Sequence, residues 1–281
     1  MIPFLFAESP EATAGRHGPP PDVLDGLAAE IRARLRRPPY FTVLRGLDFD
    51  PEDVLFSALS ARVGRLLQPY PDPGFLTVRP LRPRDSSRAE GWGVLTEHLH
   101  TDSTNWPACH DATLMLCTRP DQRGEGLSLV LPLDDAVREI RTRLGAAAID
   151  RLREEPLPWA IDPGLGGGVV RAPALSGDGM RWQLFRVAQA VERDGARCAA
   201  PDTMDFLRRV DAALAGSGSV RRFPLAAGDL LIIANRFVLH AREPITDAAG
   251  SVRELRHAKV DIPGYRPRAH ELIGSRSADD D

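Results

Sequence analysis

Hydrophobic positions along this chain follow two rhythms, and the change from one to the other outlines its architecture. Between Asp22 and Arg37, Val23, Leu24, Leu27, Ile31 and Leu35 recur at helical spacing, with arginines near the end that suit a helix's negative pole. Tyr40 to Leu44 reads as a strand closed by Gly46. Asp50, Pro51, Glu52 and Asp53 carry the marks of a helix start: a capping carboxylate, proline in the first turn and acids at the positive pole. That helix is expected to run to Leu67. Short β-like runs follow at Leu76–Val78, Val94–His100, Thr113–Cys117 and Leu127–Leu131. A helix spans Asp134 to Leu144 and another lies near Ile149–Arg153. Strands are expected at Val169–Ala172 and Arg181–Arg186, then a helix opening at Pro201-Asp202 and carrying Met204, Leu207, Val210 and Leu214. The last block is β-rich: Val220–Leu225, Asp229–Ala234, Phe237–His240 and Val252–Ile262.

Strands without regular βαβ alternation, with helices gathered outside them, predict a mainly β fold with flanking helices, a sandwich or jelly roll. Residues 1–21 are expected as an irregular lead-in, 22–265 as a single domain and 266–281 as a polar, disordered tail. The glycine-rich Gly164–Gly168 has no GKS/T ending and does not match GxGxxG, so it reads as a turn, or as part of a lid near residues 160–180, rather than a phosphate cradle.

Composition narrows the class. Apolar residues make up 43% of the 281 positions, enough for a sizeable core. No run approaches the roughly 18 apolar residues that span a bilayer. The opening Met1–Ala7 lacks the basic residues of a signal peptide. Thirty-six basic residues against 39 acidic ones give a net charge of −3, which argues against a nucleic-acid binder. Cys109, Cys117 and Cys198 share no CxxC spacing and suggest neither a disulfide framework nor a zinc ribbon. A soluble, cytoplasmic protein is the expectation. Lys259 is the only lysine among those 36 basic residues, and a GC-rich coding sequence accounts for the arginine bias without invoking an anionic substrate.

The informative stretch is Glu97-His98-Leu99-His100-Thr101-Asp102. In extended chain, residues two apart share a face, so His100 and Asp102 can both reach one small object. An imidazole nitrogen and a carboxylate oxygen are two thirds of the facial triad that holds non-haem Fe(II) and leaves positions open. His240, after the apolar run Phe237-Val238-Leu239, can supply the second imidazole. Arg253 on a following strand offers a planar, permanently charged fork for the far carboxylate of a dicarboxylic cosubstrate. Strand alternation groups Arg253 with His257 and turns Arg256 away.

These segments resemble the taurine dioxygenase/clavaminate synthase-like group of Fe(II)- and 2-oxoglutarate-dependent oxygenases. "HTDSTNWP" is similar to that group's HTD segment, "GEGLSLV" to its GGxT/S segment, "GDLLIIANRFVLHAR" to its GD…N-R-x-L-H-x-R block and "RELRHAKVD" to its closing strand, all in family order. The resemblance implies a double-stranded β-helix core, with His100, Asp102 and His240 as iron ligands and Arg253 on the C5 carboxylate of 2-oxoglutarate. It places the Ser128 hydroxyl beside that carboxylate, with Leu127 where an acid or polar residue is usual. His257 falls where some relatives carry an arginine for an anionic substrate. Trp106, Trp92 and His98 are further candidates for the pocket wall, though tryptophans in such places are more often core or rim aromatics. Asp102 argues against the halogenase branch, which has a small residue there. The implied reaction consumes 2-oxoglutarate and O2, releases succinate and CO2, and hydroxylates an unactivated C–H bond of a small molecule, an amino-acid-like or specialised-metabolism intermediate, free or carrier-bound. Two other readings use the same residues: a cupin-like metalloenzyme built on His98, His100 and His240 without 2-oxoglutarate, and a non-catalytic ligand-binding barrel.

Overall fold

The computed structural model describes residues 5–6, 20–47, 53–68, 78–81, 97–163, 166–246, 250–265 and 267. In chain order the strands are β1 (Leu5–Phe6), β2 (Phe41–Leu44), β3 (Arg65–Gln68), β4 (Val78–Leu81), β5 (Ala112–Arg119), β6 (Ser128–Pro132), β7 (Leu157–Ala160) and β8 (Val169–Ala172). They continue as β9 (Leu175–Ser176), β10 (Gly179–Met180), β11 (Arg221–Phe223), β12 (Leu230–Ala234), β13 (Val238–Arg242) and β14 (Glu254–Asp261). The helices are α1 (Pro21–Leu35), α2 (Val54–Val63), α3 (Leu133–Leu144), α4 (Ala146–Glu154), α5 (Leu184–Asp194) and α6 (Thr203–Ala215).

Seven strands form one antiparallel sheet in the order β1-β3-β14-β5-β12-β2, with β4 also paired to β14. A second sheet has the order β11-β6-β13, and β7–β8 and β9–β10 are separate hairpins. Strands β5 and β12 sit inside the large sheet and are buried on both faces, which is why Leu230-Leu231-Ile232-Ile233-Ala234 reads as an unbroken apolar run rather than an alternating one. Helices α1 and α2 pack on each other and on this sheet. Leu24, Ala28, Ile31 and Leu35 of α1 and Phe56, Leu59 and Val63 of α2 face inward. Each fully buried Leu, Ile or Phe among them contributes roughly 1.5–3 kcal/mol. Helices α3 and α6 pack together, with α3 beside β6.

Several expected elements differ. The second helix ends at Val63 instead of Leu67, and Arg65–Gln68 forms strand β3 between β1 and β14. Gly64 allows this break, because a Cβ there would stand 2.7 Å from the Asp261 carbonyl oxygen. Arg181–Arg186 is not a strand. Residues 181–183 are irregular and α5 begins at Leu184, burying Arg186, Val187 and Ala190 at helical spacing. From the expected strand Val94–His100, the described part makes only the bridge between His100 and His240. Inside the lead-in, Leu5–Phe6 pairs with Leu67 and Gln68. The 160–180 stretch holds β8, β9 and β10. Asp50–Glu52, Trp92, Gly164-Leu165 and the acidic tail lie outside the described residues. Among those described, no helix is long and apolar enough to cross a membrane.

Candidate metal centre

The segment bearing His100 and Asp102 is stitched in place by four separate partners. His100 and His240 exchange backbone hydrogen bonds of 3.0 and 2.9 Å, which puts both imidazoles on one side of the bridge, their centroids 4.4 Å apart. Thr101 N–H donates to the Trp182 carbonyl at 2.8 Å, and its hydroxyl accepts from Trp182 N–H at 2.9 Å. Asn235, fully buried, clasps the Asp102 backbone: its Oδ1 accepts from Asp102 N–H at 2.7 Å and its Nδ2 donates to the Asp102 carbonyl at 3.0 Å. Arg181 donates to the carbonyls of Thr104, Trp106 and Pro107.

This scaffold gathers His100, Asp102 and His240 so that one donor atom from each lies within 4.8 Å of the others. His100 Nε2 is 4.0 Å from Asp102 Oδ1 and His240 Nε2 is 3.9 Å from Asp102 Oδ2. His100 Nδ1 lies 2.7 Å from the His98 carbonyl; it must carry the proton to make that bond, so Nε2 presents a lone pair. Among the described residues, the buried His240 Nδ1 has no hydrogen-bond partner. Burial lowers the pKa of His100, against the pull of Asp102, and takes His240 down to about 3, helped by His100. Burial pushes the Asp102 carboxyl up, but Lys259, a hydrogen bond from His257 and the nearby His240 outweigh it and hold it well below the usual range. At neutral pH the three residues are therefore two neutral nitrogens and one carboxylate, a donor set that fits a divalent iron with open positions.

Arg253 stands at the mouth of β14, only 6% exposed. No described carboxylate pairs with its guanidinium; its backbone N–H donates to Ser251 Oγ, and Arg242 lies nearby. Burial, then Arg242, lowers its pKa to about 10, so it remains a cation at neutral pH. The GEGLS segment crosses its stem: a Cβ at Gly126, which has φ +69°, would lie 3.5 Å from Arg253 Cδ. A buried cation lacking an anionic partner is costly and suits an anionic ligand.

Residues 9–258 match the model of the family described as taurine catabolism dioxygenase TauD, TfdA family. The chain belongs to this family. As a TauD/TfdA-family dioxygenase it is a non-haem iron, 2-oxoglutarate-dependent oxygenase. Its fold is similar to that of an asparagine oxygenase solved with Fe(II), 2S,3S-3-hydroxyasparagine and succinate, with a TM-score of 0.66, 19% identity, and coverage of 86% of this chain and 79% of that one. It is also similar to the non-heme iron oxygenase OrfP solved with Fe and alpha-ketoglutaric acid, with a TM-score of 0.62, 22% identity, and coverage of 86% and 80%. No curated protein sequence matches the chain.

The other expected residues of this TauD/TfdA-family dioxygenase take varied places. His257 reaches the cluster, its Nε2 3.6 Å from Asp102 Oδ2. Ser128 opens β6 beside Arg242 and Phe223 and is buried. Arg242 bonds Glu97 at 3.1 Å and the Glu243 carbonyl at 2.9 Å. Arg256 faces away and pairs with Asp53 and Glu254. The His98 ring is exposed and outside the three-residue cluster, its carbonyl serving His100. Trp106 is buried among the turns after Asp102, its backbone N–H donating to the Ser103 carbonyl.

Three residues given no role by the sequence stand around Asp102. Thr113 Oγ1 donates to Asp102 Oδ2 at 3.0 Å, and His110 links Thr113, at 2.7 Å, to Ser103, at 2.9 Å. Lys259 Nζ lies 3.5 Å from Asp102 Oδ1. The readable signal for Lys259 was its place two residues beyond His257 on one strand face.

Proposed function

We propose that this dioxygenase hydroxylates an unactivated C–H bond of a small, amino-acid-like molecule, consuming 2-oxoglutarate and O2 and releasing succinate and CO2. The observation that carries the reading is the convergence of His100, Asp102 and His240 around one point; Arg253, buried and paired with no described carboxylate, adds support. His100, Asp102 and His240 would hold Fe(II), and the two sheets would be the faces of a double-stranded β-helix. Bound iron supplies dioxygen activation coupled to decarboxylation of the keto acid.

The chain's own residues bind, orient and exclude. Arg253 would take the C5 carboxylate of 2-oxoglutarate through its paired N–H donors, with Ser128 beside it. The low exposure of His100, His240 and His257 would limit water at the oxidising site. His257 faces the same point and would touch the substrate, and Trp106 and His98 would line its approach. The amino-acid class is supported by the molecules held in two solved structures of similar fold, 2S,3S-3-hydroxyasparagine in the asparagine oxygenase and (3S)-hydroxy-L-Arg in a further OrfP structure.

The test is anaerobic reconstitution with Fe(II) and 2-oxoglutarate, read by the weak visible charge-transfer band of the chelate. A screen of free amino acids and their carrier-bound derivatives for succinate release follows. Folded, iron-loaded protein without the band would overturn the reading. Turnover confined to substrates unlike amino acids would overturn the substrate class.

A further inference from the structure

Thirty-five of the 36 basic residues are arginine, and the exception, Lys259, lies against Asp102. Strand register explains how Lys259 gets there. On β14 and β5, Lys259 stands directly across from Thr113, so the ammonium and the hydroxyl project side by side from the same sheet face. Between them they take the two oxygens of Asp102. Thr113 Oγ1 donates to Oδ2 at 3.0 Å, and Lys259 Nζ lies 3.5 Å from Oδ1 and 3.4 Å from Ser103 Oγ. The lysine side chain is 11% exposed. An ammonium is a compact point charge with three rotatable donors and can serve a carboxylate and a hydroxyl in so confined a place; a planar guanidinium is wider and fixed in its fork.

We infer that Lys259 is a positioning residue that restrains Asp102 to give a metal a single oxygen, keeping one position free beside the keto acid. The inference rests on the proposed metal site. With one oxygen from Asp102, the three residues would hold a metal and leave room for the keto acid and a gas molecule. A carboxylate giving both oxygens would take part of that room. Thr113 and His257 already engage Oδ2, so Oδ1 is the oxygen whose freedom Lys259 removes. Its positive charge carries a cost, because it repels the dication that Asp102 attracts.

Two variants separate orientation from charge. Lys259→Met removes both, whereas Lys259→Gln keeps a donor without the charge. Metal affinity is read by Co(II) titration of metal-free protein, and keto-acid chelation by the anaerobic charge-transfer band at saturating Fe(II) and 2-oxoglutarate. Co(II) is expected to bind both variants about tenfold more tightly, the scale of one screened unit charge near a dication. The band is expected to fall at least threefold in Lys259→Met and to recover at least half its strength in Lys259→Gln. Wild-type Co(II) affinity in Lys259→Gln, or a full band in folded Lys259→Met, overturns the inference while leaving the metal site standing. If Lys259→Met does not fold, the Gln variant's Co(II) affinity still decides. Wild-type protein that gives no band removes the site itself, and the inference with it.

Discussion

A carboxylate withdrawn from water survives as an anion only if its surroundings replace the lost hydration, and Asp102 has Thr113, His257 and Lys259 for that purpose. Asp102→Ala removes the one anionic donor of the cluster. Fe(II) or Co(II) affinity should drop at least 100-fold, measured by titration of metal-free protein, whereas His98→Ala should leave it within about threefold. The opposite pattern would favour the cupin-like reading. Arg253→Met should weaken 2-oxoglutarate by about 30-fold or more, the scale for truncating one partner of a buried charge pair. Arg256→Met, three residues on and facing Asp53, should leave keto-acid affinity unchanged by calorimetry. What the sequence made legible was the grouping of His100, Asp102 and His240, because the facial donor set proposed for them admits few substitutes. Lys259 and Thr113 were not legible, because their role depends on which strand lies beside which, and a single sequence leaves that register open. Arg242 pairs with Glu97, a contact no local pattern encodes.

At the scale of elements, the positions of the donors depend on short pieces that hold longer ones. The turn between β12 and β13 carries Asn235 and Arg236, and it is pinned from outside by β10, where Met180 N–H donates to the Arg236 carbonyl at 2.8 Å. Gly179 makes the approach feasible. It has φ +112°, and a Cβ there would stand 2.5 Å from the Arg236 carbonyl oxygen. Gly179→Ala should therefore cost about 3 kcal/mol or more in a urea titration, through strained backbone and a displaced turn, and should loosen metal binding with it. Long periodic segments such as α3 and α6 and the apolar strands β5 and β12 were plain from their spacing. The stretch from Arg181 to Arg186 was misread because its two-residue alternation is short and α5 takes over after three residues, where Leu184, Val187 and Ala190 fit a helix face. Its leading residues then act as fasteners for the turns after Asp102 rather than as a strand.

For the whole molecule, buried histidines make stability depend on pH. Burial lowers the pKa of His100 and His240 and, together with Lys259, that of His110. The unfolded chain therefore takes up protons below about pH 6.5 that the folded chain refuses, so stability is full above that value and lost as pH falls. Two groups act in the other direction: burial raises Asp111 to about 7 and also raises Asp211, so the folded chain keeps protons there that the unfolded chain releases. Three histidines against two acids leave the unfolded chain binding more protons as pH falls toward 5.5, so stability declines in that direction. Metal-free protein should accordingly unfold at lower urea concentration at pH 5.5 than at pH 7, and an unchanged midpoint would contradict the buried neutral histidines.

Because the described pairing of His100 with His240 is an isolated bridge between stretches far apart in the chain, the binding point does not exist until both sheets have docked. An ion seated there is bound only by the completed tertiary structure, so its retention acts as a gauge of global folding and its affinity adds directly to the barrier against unravelling. Removing the ion should thus lower the melting temperature of the entire body rather than loosen one corner of it.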